Sequence, residues 1–402
     1  MKKGFDKISY AIDSLRADMI DTLSEMISIK AVSAKSGGRG ESDRAEYLES
    51  VLKGWGIQAR SYSYKDDTGT ERPSLVASIG KCKRTIWIVA HIDTVAEGDI
   101  SLWSTDPFKA HIDGDMIYGR GTNDDGQAVI SGMYAMRALK DSGTELKYNY
   151  GLVLAANEEE GSAYGMQKLM LEGIFAKGDM FVVPDWCTTD GSAIEIGEKG
   201  MLWLKITVDG KQAHASTPAE GKNAFRYMVR FLDKVDELLH NKYTKENRLF
   251  RPVYSTFEMT KHEKNVDSIN ILPGREVAYI DSRVLPEYKL DEVMDDVKSV
   301  ASSVEFRDVK IAIDVVNRED PAPVTSSDAE IVKMLAGALE DLRGIKPELV
   351  GIGGGTCAAF PRKEGMQAAT WMTGDEVAHR PNEYAKISDM INDAKVLAYL
   401  FV

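Results

Sequence analysis

Between Phe5 and Ile29 the apolar residues Phe5, Ile8, Ile12, Leu15, Met19, Ile20, Leu23, Met26 and Ile27 recur at three and four spacing, the period of an amphipathic helix. This predicts a helix or helix pair with one face on a sheet. A further helix is predicted over 43–55, with Gly56 placed for a left-handed cap. Three apolar runs of strand length come next, at 86–90, 152–156 and 180–183, with helical patterns at 128–139 and 163–171 between them. Strands apolar on both faces and separated by helices predict an α/β fold with a mostly parallel sheet covered on both sides. Beyond Gly200 the pattern alternates through Leu202, Leu204, Ile206 and Val208, then gives a long helix over 223–241 and strands over 277–284 and 309–315. That order predicts a second, smaller α+β domain. The expected division is 1–198 with 317–402 for the first domain and 199–316 for the second.

Composition narrows the classes. At 402 residues, 43% hydrophobic and 28% charged, the chain can bury a large core. Its formal charge of −13 and the lack of a basic stripe argue against a nucleic-acid partner. The longest apolar runs fall far short of the roughly 20 residues of a membrane span. The three cysteines, Cys82, Cys187 and Cys357, form no C-x-x-C pair, so neither a disulfide framework nor a thiolate zinc knuckle is expected. A cytoplasmic protein, neither secreted nor anchored, is the expectation.

The residues just past each buried run carry the chemistry. The first run ends in His91-Ile92-Asp93, the second in Asn157-Glu158-Glu159-Glu160 and the third in Pro184-Asp185, and open α/β sheets bind ligands beyond the carboxyl ends of their strands. His91 and Asp93, two apart, are expected on one face, with the carboxylate orienting the imidazole. The run 119–126 fails the dinucleotide and P-loop patterns and presents Asp124 and Asp125 at the start of a helix, where simple helix capping is the competing explanation. Of six histidines, His111, His240 and His262 have no clustered partner, and His379 lies in a loop-like stretch before the last helix. His91, Asp124, Glu159, Asp185 and His379 together form a donor set suited to zinc, cobalt or manganese. Five ligands fit two metals sharing one carboxylate, which leaves Glu158 as an acid/base group.

These segments resemble the two-zinc deacylase and exopeptidase family that includes acetylornithine deacetylase, succinyl-diaminopimelate desuccinylase, aminoacylase and glutamate carboxypeptidase. The resemblance rests on His91-Ile92-Asp93, Trp103 with Asp106-Pro107-Phe108, Gly119-Arg120-Gly121 to Asp124, Glu158-Glu159, Ala213-His214-Ala215-Ser216 with Pro218, Asn270 with Pro273, Asp281 with Arg283, Gly354-Gly355-Thr356, and His379 with Asn382-Glu383. It implies a zinc-exopeptidase-like catalytic domain with an inserted ferredoxin-like lid and dimerisation domain. It further implies that His91 and Asp185 hold one divalent ion, Glu159 and His379 the other, and Asp124 both, across a cis Asp124–Asp125 peptide. Asp93 would support His91, and Glu158 would serve as base and then acid. His214 would stabilise the oxyanion across a homodimer interface, and Asn270, Arg283, Gly354, Gly355 and Thr356 would hold a substrate carboxylate.

The implied activity is hydrolysis of a linear amide in an N-acyl amino acid or short peptide. Desuccinylation of succinyl-diaminopimelate comes first and dipeptidase or carboxypeptidase action second, the latter because Asp185 is the residue those branches more often carry. Two other classes compete. A cysteine hydrolase would use Cys357, His379 and Asn382 but leave the carboxylates idle, and a non-catalytic scaffold would have no reason to keep every ligand.

Overall fold

The computed structural model describes residue 2 and residues 4–402, so residues 1 and 3 of the expected first domain lie outside it. In chain order the elements begin with α1 (Phe5–Ser14), α2 (Arg16–Ser28), α3 (Ser42–Gly54), β1 (Ala59–Lys65), β2 (Glu71–Ile79), β3 (Thr85–His91), β4 (His111–Asp113) and β5 (Met116–Tyr118). Next come α4 (Gln127–Ser142), β6 (Asn149–Ala155), α5 (Met166–Leu171), β7 (Met180–Thr188), β8 (Ala193–Glu198), β9 (Gly200–Asp209), β10 (Ala213–His214) and α6 (Ala224–Lys242). The remainder is β11 (Thr256–His262), β12 (Ile271–Leu272), β13 (Arg275–Val284), α7 (Leu290–Ala301), β14 (Lys310–Glu319), α8 (Glu330–Arg343), β15 (Glu348–Ile352), α9 (Ala359–Lys363), β16 (Gln367–Thr373), β17 (Tyr384–Lys386) and α10 (Ile387–Tyr399).

Two compact units result. One comprises the residues up to Ile196 with Val324–Leu349 and Thr356–Val402, and the other Gly197–Pro323 with Val350–Gly355. The second unit thus extends past the expected limit at 316 and takes in 350–355, a glycine-rich segment whose sequence has no period to mark its membership.

The large sheet has the order β1-β2-β6-β3-β7-β16-β8-β15. Its centre, β6, β3, β7 and β16, is parallel, and β1, β2 and β8 join antiparallel. β3 is buried along its whole length, as a parallel strand covered on both faces must be. Ile88 and Leu152 meet α4 at Gly132. Trp87, Val89, Val153, Phe181 and Val183 pack with Met166 and Leu169 of α5, and each side chain so buried contributes roughly 1.5–3 kcal/mol relative to exposure. A small sheet, β17-β5-β4, brings the chain before α10 onto Gly119, whose N–H donates to the Glu383 carbonyl at 2.9 Å. No helix among the described residues is long and apolar enough to cross a membrane.

In the second unit the antiparallel sheet β11-β13-β9-β14 packs one face on α6 and α7. Leu202, Leu204, Ile206 and Val208 enter that core with Phe231, Val235, Val293 and Val297, so the alternation of β9 is the record of a one-sided sheet. Asn223 caps α6 by accepting from Arg226 N–H at 3.1 Å. The pattern along the chain does not predict α7 or β11. Polar residues break the period of β11, whose burial is confined to its first two residues.

Candidate metal centre

β3 ends on His91, and the chain leaves the strand at once. His91 is buried; its Nδ1 lies 3.0 Å from the Asp93 main-chain carbonyl and 3.7 Å from Asp93 Oδ1. The sequence assigns the orienting role to the carboxylate, whereas the structure gives the hydrogen bond to the carbonyl, because Asp93 stands past the strand and no longer shares its alternation. The Asp93 carboxylate accepts instead from the N–H groups of Glu158 and Glu159, at 3.0 and 3.2 Å. Asp93 therefore ties the loop after β3 to the loop after β6.

The loop bearing Asp124 is wound around a second buried carboxylate. Glu383 takes the Arg120 guanidinium at 2.5 Å and accepts from the N–H groups of Gly121, Asn123 and Asp124 at 2.9 to 3.0 Å. At Gly126 a Cβ would lie 2.3 Å from the Gly121 carbonyl oxygen, so the loop can close this tightly before α4 only with glycine there. The Asp124–Asp125 peptide is cis. Asp124 Oδ1 lies 2.7 Å from His91 Nε2, and Oδ2 lies 2.9 Å from His379 Nε2.

After β6, Asn157 adopts a left-handed conformation (φ 63°) that asparagine tolerates better than most residues. Its Oδ1 accepts from Tyr164 N–H at 2.9 Å, and the turn sets Glu158 and Glu159 at the sheet edge. Glu159 Oε2 lies 3.2 Å from His379 Nε2, and Oε1 accepts from Val95 N–H at 3.1 Å. In β7, Pro184 cannot donate to the ladder, and residues 184–186 bulge opposite Trp371. That bulge presents Asp185, whose Oδ1 lies 3.6 Å from His91 Nε2.

All five sequence-selected ligand positions thus converge within the first unit, with Glu158 and Asp93 beside them. The set His91, Asp124 and Glu159, and the set His91, Asp125 and Asp185, each bring ligand atoms within 4.8 Å of one another. Burial would lower the His91 pKa, but the hydrogen bond to Asp124 and the nearby carboxylates of Asp185 and Asp93 raise it well above the usual value. Asp124 and Glu159 raise His379 to about 10. Burial would raise Asp124, and the two imidazoles outweigh it and hold its carboxyl below the ordinary range. Burial pushes Glu159 up to about 7 and Glu158 well above the ordinary value, the charge of Asp185 adding to Glu158. This is a site short of positive charge, in which protons on the imidazoles balance the carboxylates. Divalent ions would displace those protons, and imidazole with carboxylate is the donor chemistry they prefer. The residues fit a metal pair.

Other positions behave differently. His214, Asn270, Arg283, Gly354 and Gly355 belong to the second unit, and Thr356 to the first. His214 is exposed, with Nδ1 accepting from Ser216 N–H at 3.1 Å, and the Asn270 carbonyl accepts from Ala215 N–H at 2.8 Å. Arg283 donates to both Asp281 oxygens at 2.6 and 2.9 Å and to the Gly353 carbonyl at 2.9 Å. Thr356 Oγ1 accepts from Ala358 N–H at 3.1 Å.

Sequence reasoning offers Asp125 as a helix cap, whereas in the structure it accepts from His91 N–H at 3.1 Å, and it gives no role to Glu383, Arg120 or Arg72. Arg72 stands at the head of β2 between Glu71 and Pro73, where no apolar period marks it as buried, although the structure buries it completely and such a charge is almost never buried without partners.

A family model described as peptidase family M20/M25/M40 matches residues 87–402. An uncharacterized metallohydrolase of Methanocaldococcus jannaschii is 37% identical over 395 residues, covering 93% of this chain and 96% of its own. A succinyl-diaminopimelate desuccinylase of Rickettsia massiliae is 26% identical, covering 92% and 96%. Among solved structures, an M20 family metallo-carboxypeptidase of Sulfolobus solfataricus superposes with a TM-score of 0.78 at 23% identity, over 95% and 98% of the two chains, and shares the fold. With a family model over most of its length and a relative this close, the chain belongs to peptidase family M20/M25/M40 and is a metal-dependent hydrolase of amide bonds.

Proposed function

We propose that this chain removes the acyl group from an N-acyl amino acid, with succinyl-diaminopimelate the first substrate to test, through a centre of two divalent ions. The observation that carries the two-ion reading is Asp124, whose two oxygens face two different imidazoles, His91 at 2.7 Å and His379 at 2.9 Å. His91 and Asp185 would hold one ion, Glu159 and His379 the other, and Asp124 both. Zinc is the first metal to test, with cobalt and manganese suited to the same donors. When bound, such ions acidify a water molecule from a pKa near 16 toward about 7 and polarise the amide carbonyl.

The protein's own part is proton handling and orientation. Glu158 is only partly exposed, and its N–H is fixed by Asp93 at 3.0 Å. A carboxyl raised above its usual range both accepts a proton from the attacking water and returns it to the leaving nitrogen, without which amide cleavage stalls. The family resemblance supports His214 as a donor to the oxyanion. It also supports Asn270, Arg283 and the Gly354, Gly355 and Thr356 loop as the holder of a substrate carboxylate. Of the five N–H groups of Arg283, three are engaged within the second unit, which leaves two for a substrate. A homodimer and a cytoplasmic setting complete the proposal. Dipeptide or carboxypeptidase hydrolysis is the second reading, favoured by the short ligand Asp185.

The test is a panel of succinyl-diaminopimelate, acetylornithine and several dipeptides, assayed with zinc-, cobalt- and manganese-loaded protein. Cleavage of the succinyl amide above the others is expected. A clear preference for dipeptides transfers the proposal to the second reading. Glu158→Ala is expected to keep its metal and lose kcat by at least about 100-fold, within the range for a general base; undiminished turnover defeats the assignment of Glu158.

A further inference from the structure

Behind the proposed centre lies a buried charged cluster that the proposed reaction does not use. Arg72 of β2 is fully buried and faces four carboxylates from four separate segments: Glu41 Oε1 at 2.8 Å, Asp66 Oδ2 and Glu160 Oε2 each at 3.4 Å, and Asp93 Oδ2 at 3.8 Å. Two of the four stand on ligand-bearing loops. Asp93 holds the N–H groups of Glu158 and Glu159 with its carboxylate, and its carbonyl meets His91 Nδ1 at 3.0 Å. Glu160 accepts from Asn157 Nδ2 at 3.0 Å and from Lys35 N–H at 2.8 Å. A second buried arginine, Arg44 of α3, donates to the Ile92 carbonyl at 3.0 Å in the same turn.

A fold does not require such an arrangement. A buried ion pair exchanged for apolar residues of like volume is often neutral or stabilising, and one pair would serve a core as well as this convergence does. What the convergence does is join the loop after β3 to the loop after β6 through one planar guanidinium, which can donate in several directions at fixed angles as an ammonium cannot. Arg72 Nη2, the nitrogen nearest Asp93, has no hydrogen-bond partner among the described residues, so its hold on Asp93 is by charge at 3.8 Å rather than by a close bond.

We propose that Arg72 is a positioning residue of the metal centre: by fixing Asp93 and Glu160 it sets the backbone that carries Glu158 and Glu159. The inference rests on the two-ion reading of the site. Arg72 touches neither substrate nor metal and acts through the carboxylates it holds.

Zinc titration of chelator-stripped protein by calorimetry tests this, alongside steady-state kinetics on whichever panel substrate is cleaved. Three variants are compared with wild type, each checked for folding by circular dichroism. Arg72→Lys keeps the charge and loses the fork. Arg72→Gln combined with Glu41→Gln removes one charge of each sign and leaves amides that can still hydrogen-bond. Glu159→Gln alters a proposed ligand directly. Loss of outer-shell support of this kind costs roughly 10- to 100-fold in metal affinity or activity. Folded Arg72 variants are therefore expected to bind zinc that much more weakly and to lose kcat with KM within about 3-fold, with Arg72→Lys the milder of the two.

Wild-type zinc affinity and kcat in either folded Arg72 variant overturn the proposal, as does a rise in KM alone. If both Arg72 variants fail to fold, Arg72 is a core residue and the proposal is likewise overturned. The Glu159→Gln control separates the two levels. Unchanged zinc binding there sinks the metal-centre reading itself, whereas weakened binding there with unchanged binding in Arg72→Lys overturns the role of Arg72 alone.

Discussion

Asp393 shows what burial does to a carboxylate in this molecule when no cation closes on it. Its Oδ2 accepts from Thr373 N–H and Gln127 Nε2, both at 2.9 Å, while Oδ1 has no hydrogen bond and stands 4.0 Å from Arg343. Burial pushes the carboxyl up to about 7. The unfolded chain releases this proton near pH 4 and the folded chain only near pH 7, so between these values the folded state binds more protons and stability falls as pH rises. Asp393→Asn should remove that slope. Relative to wild type the variant is expected to gain on the order of 2 kcal/mol between pH 5 and pH 8, and parallel urea-unfolding curves at the two pH values would contradict it. The same physics argues against a cysteine nucleophile. Cys357 is buried, and burial, with Glu158 nearby, raises its thiol well above the usual value, the reverse of what a reactive thiolate needs.

At the scale of elements, the centre is a set of loop closures at the carboxyl ends of adjacent parallel strands, and its precision depends on how tightly each loop turns. Gly165, just ahead of α5, is a clear instance: a Cβ there would lie 1.8 Å from the Ala156 carbonyl oxygen, so any side chain forces apart the loop that carries Glu158 and Glu159. Gly165→Ala is expected to cost about 1–3 kcal/mol by overpacking. It should also lower kcat on the order of 100-fold by displacing Glu158, the proposed base. A variant with wild-type kcat and urea midpoint would show that the loop absorbs the change. The sequence exposes these strands and the candidate ligands at their ends because both signals are local: an apolar run, then His-x-Asp or Glu-Glu within a few residues. The supports are hidden because their partners are remote, Arg72 lying 88 positions from Glu160 and Glu383 lying 259 from Asp124. The transfer of 350–355 to the second unit is hidden for the same reason, since contact decides it and no pattern along the chain does.

For the molecule as a whole, the centre should act as a stabilising ligand site for one unit only. Every proposed ligand lies in the first unit, where Asp124, Glu159 and Asp185 stand against His91 and His379. Ions that bind the folded chain and not the unfolded one stabilise it by mass action, about 4 kcal/mol for a site at a thousand times its Kd. A unit of this size shifts its melting temperature by roughly 2–4 °C per kcal/mol. Chelation of the metal-loaded protein is therefore expected to lower the calorimetric transition of the first unit by about 8–16 °C, with readdition of zinc restoring it. The attribution to the centre is checked in Glu159→Gln, where the chelator effect should shrink by at least half because one ion has lost a ligand. An equal chelator shift in that variant would place the stabilising ion elsewhere. No shift in the wild type would mean that these side chains, though gathered at one sheet edge, do not retain a metal.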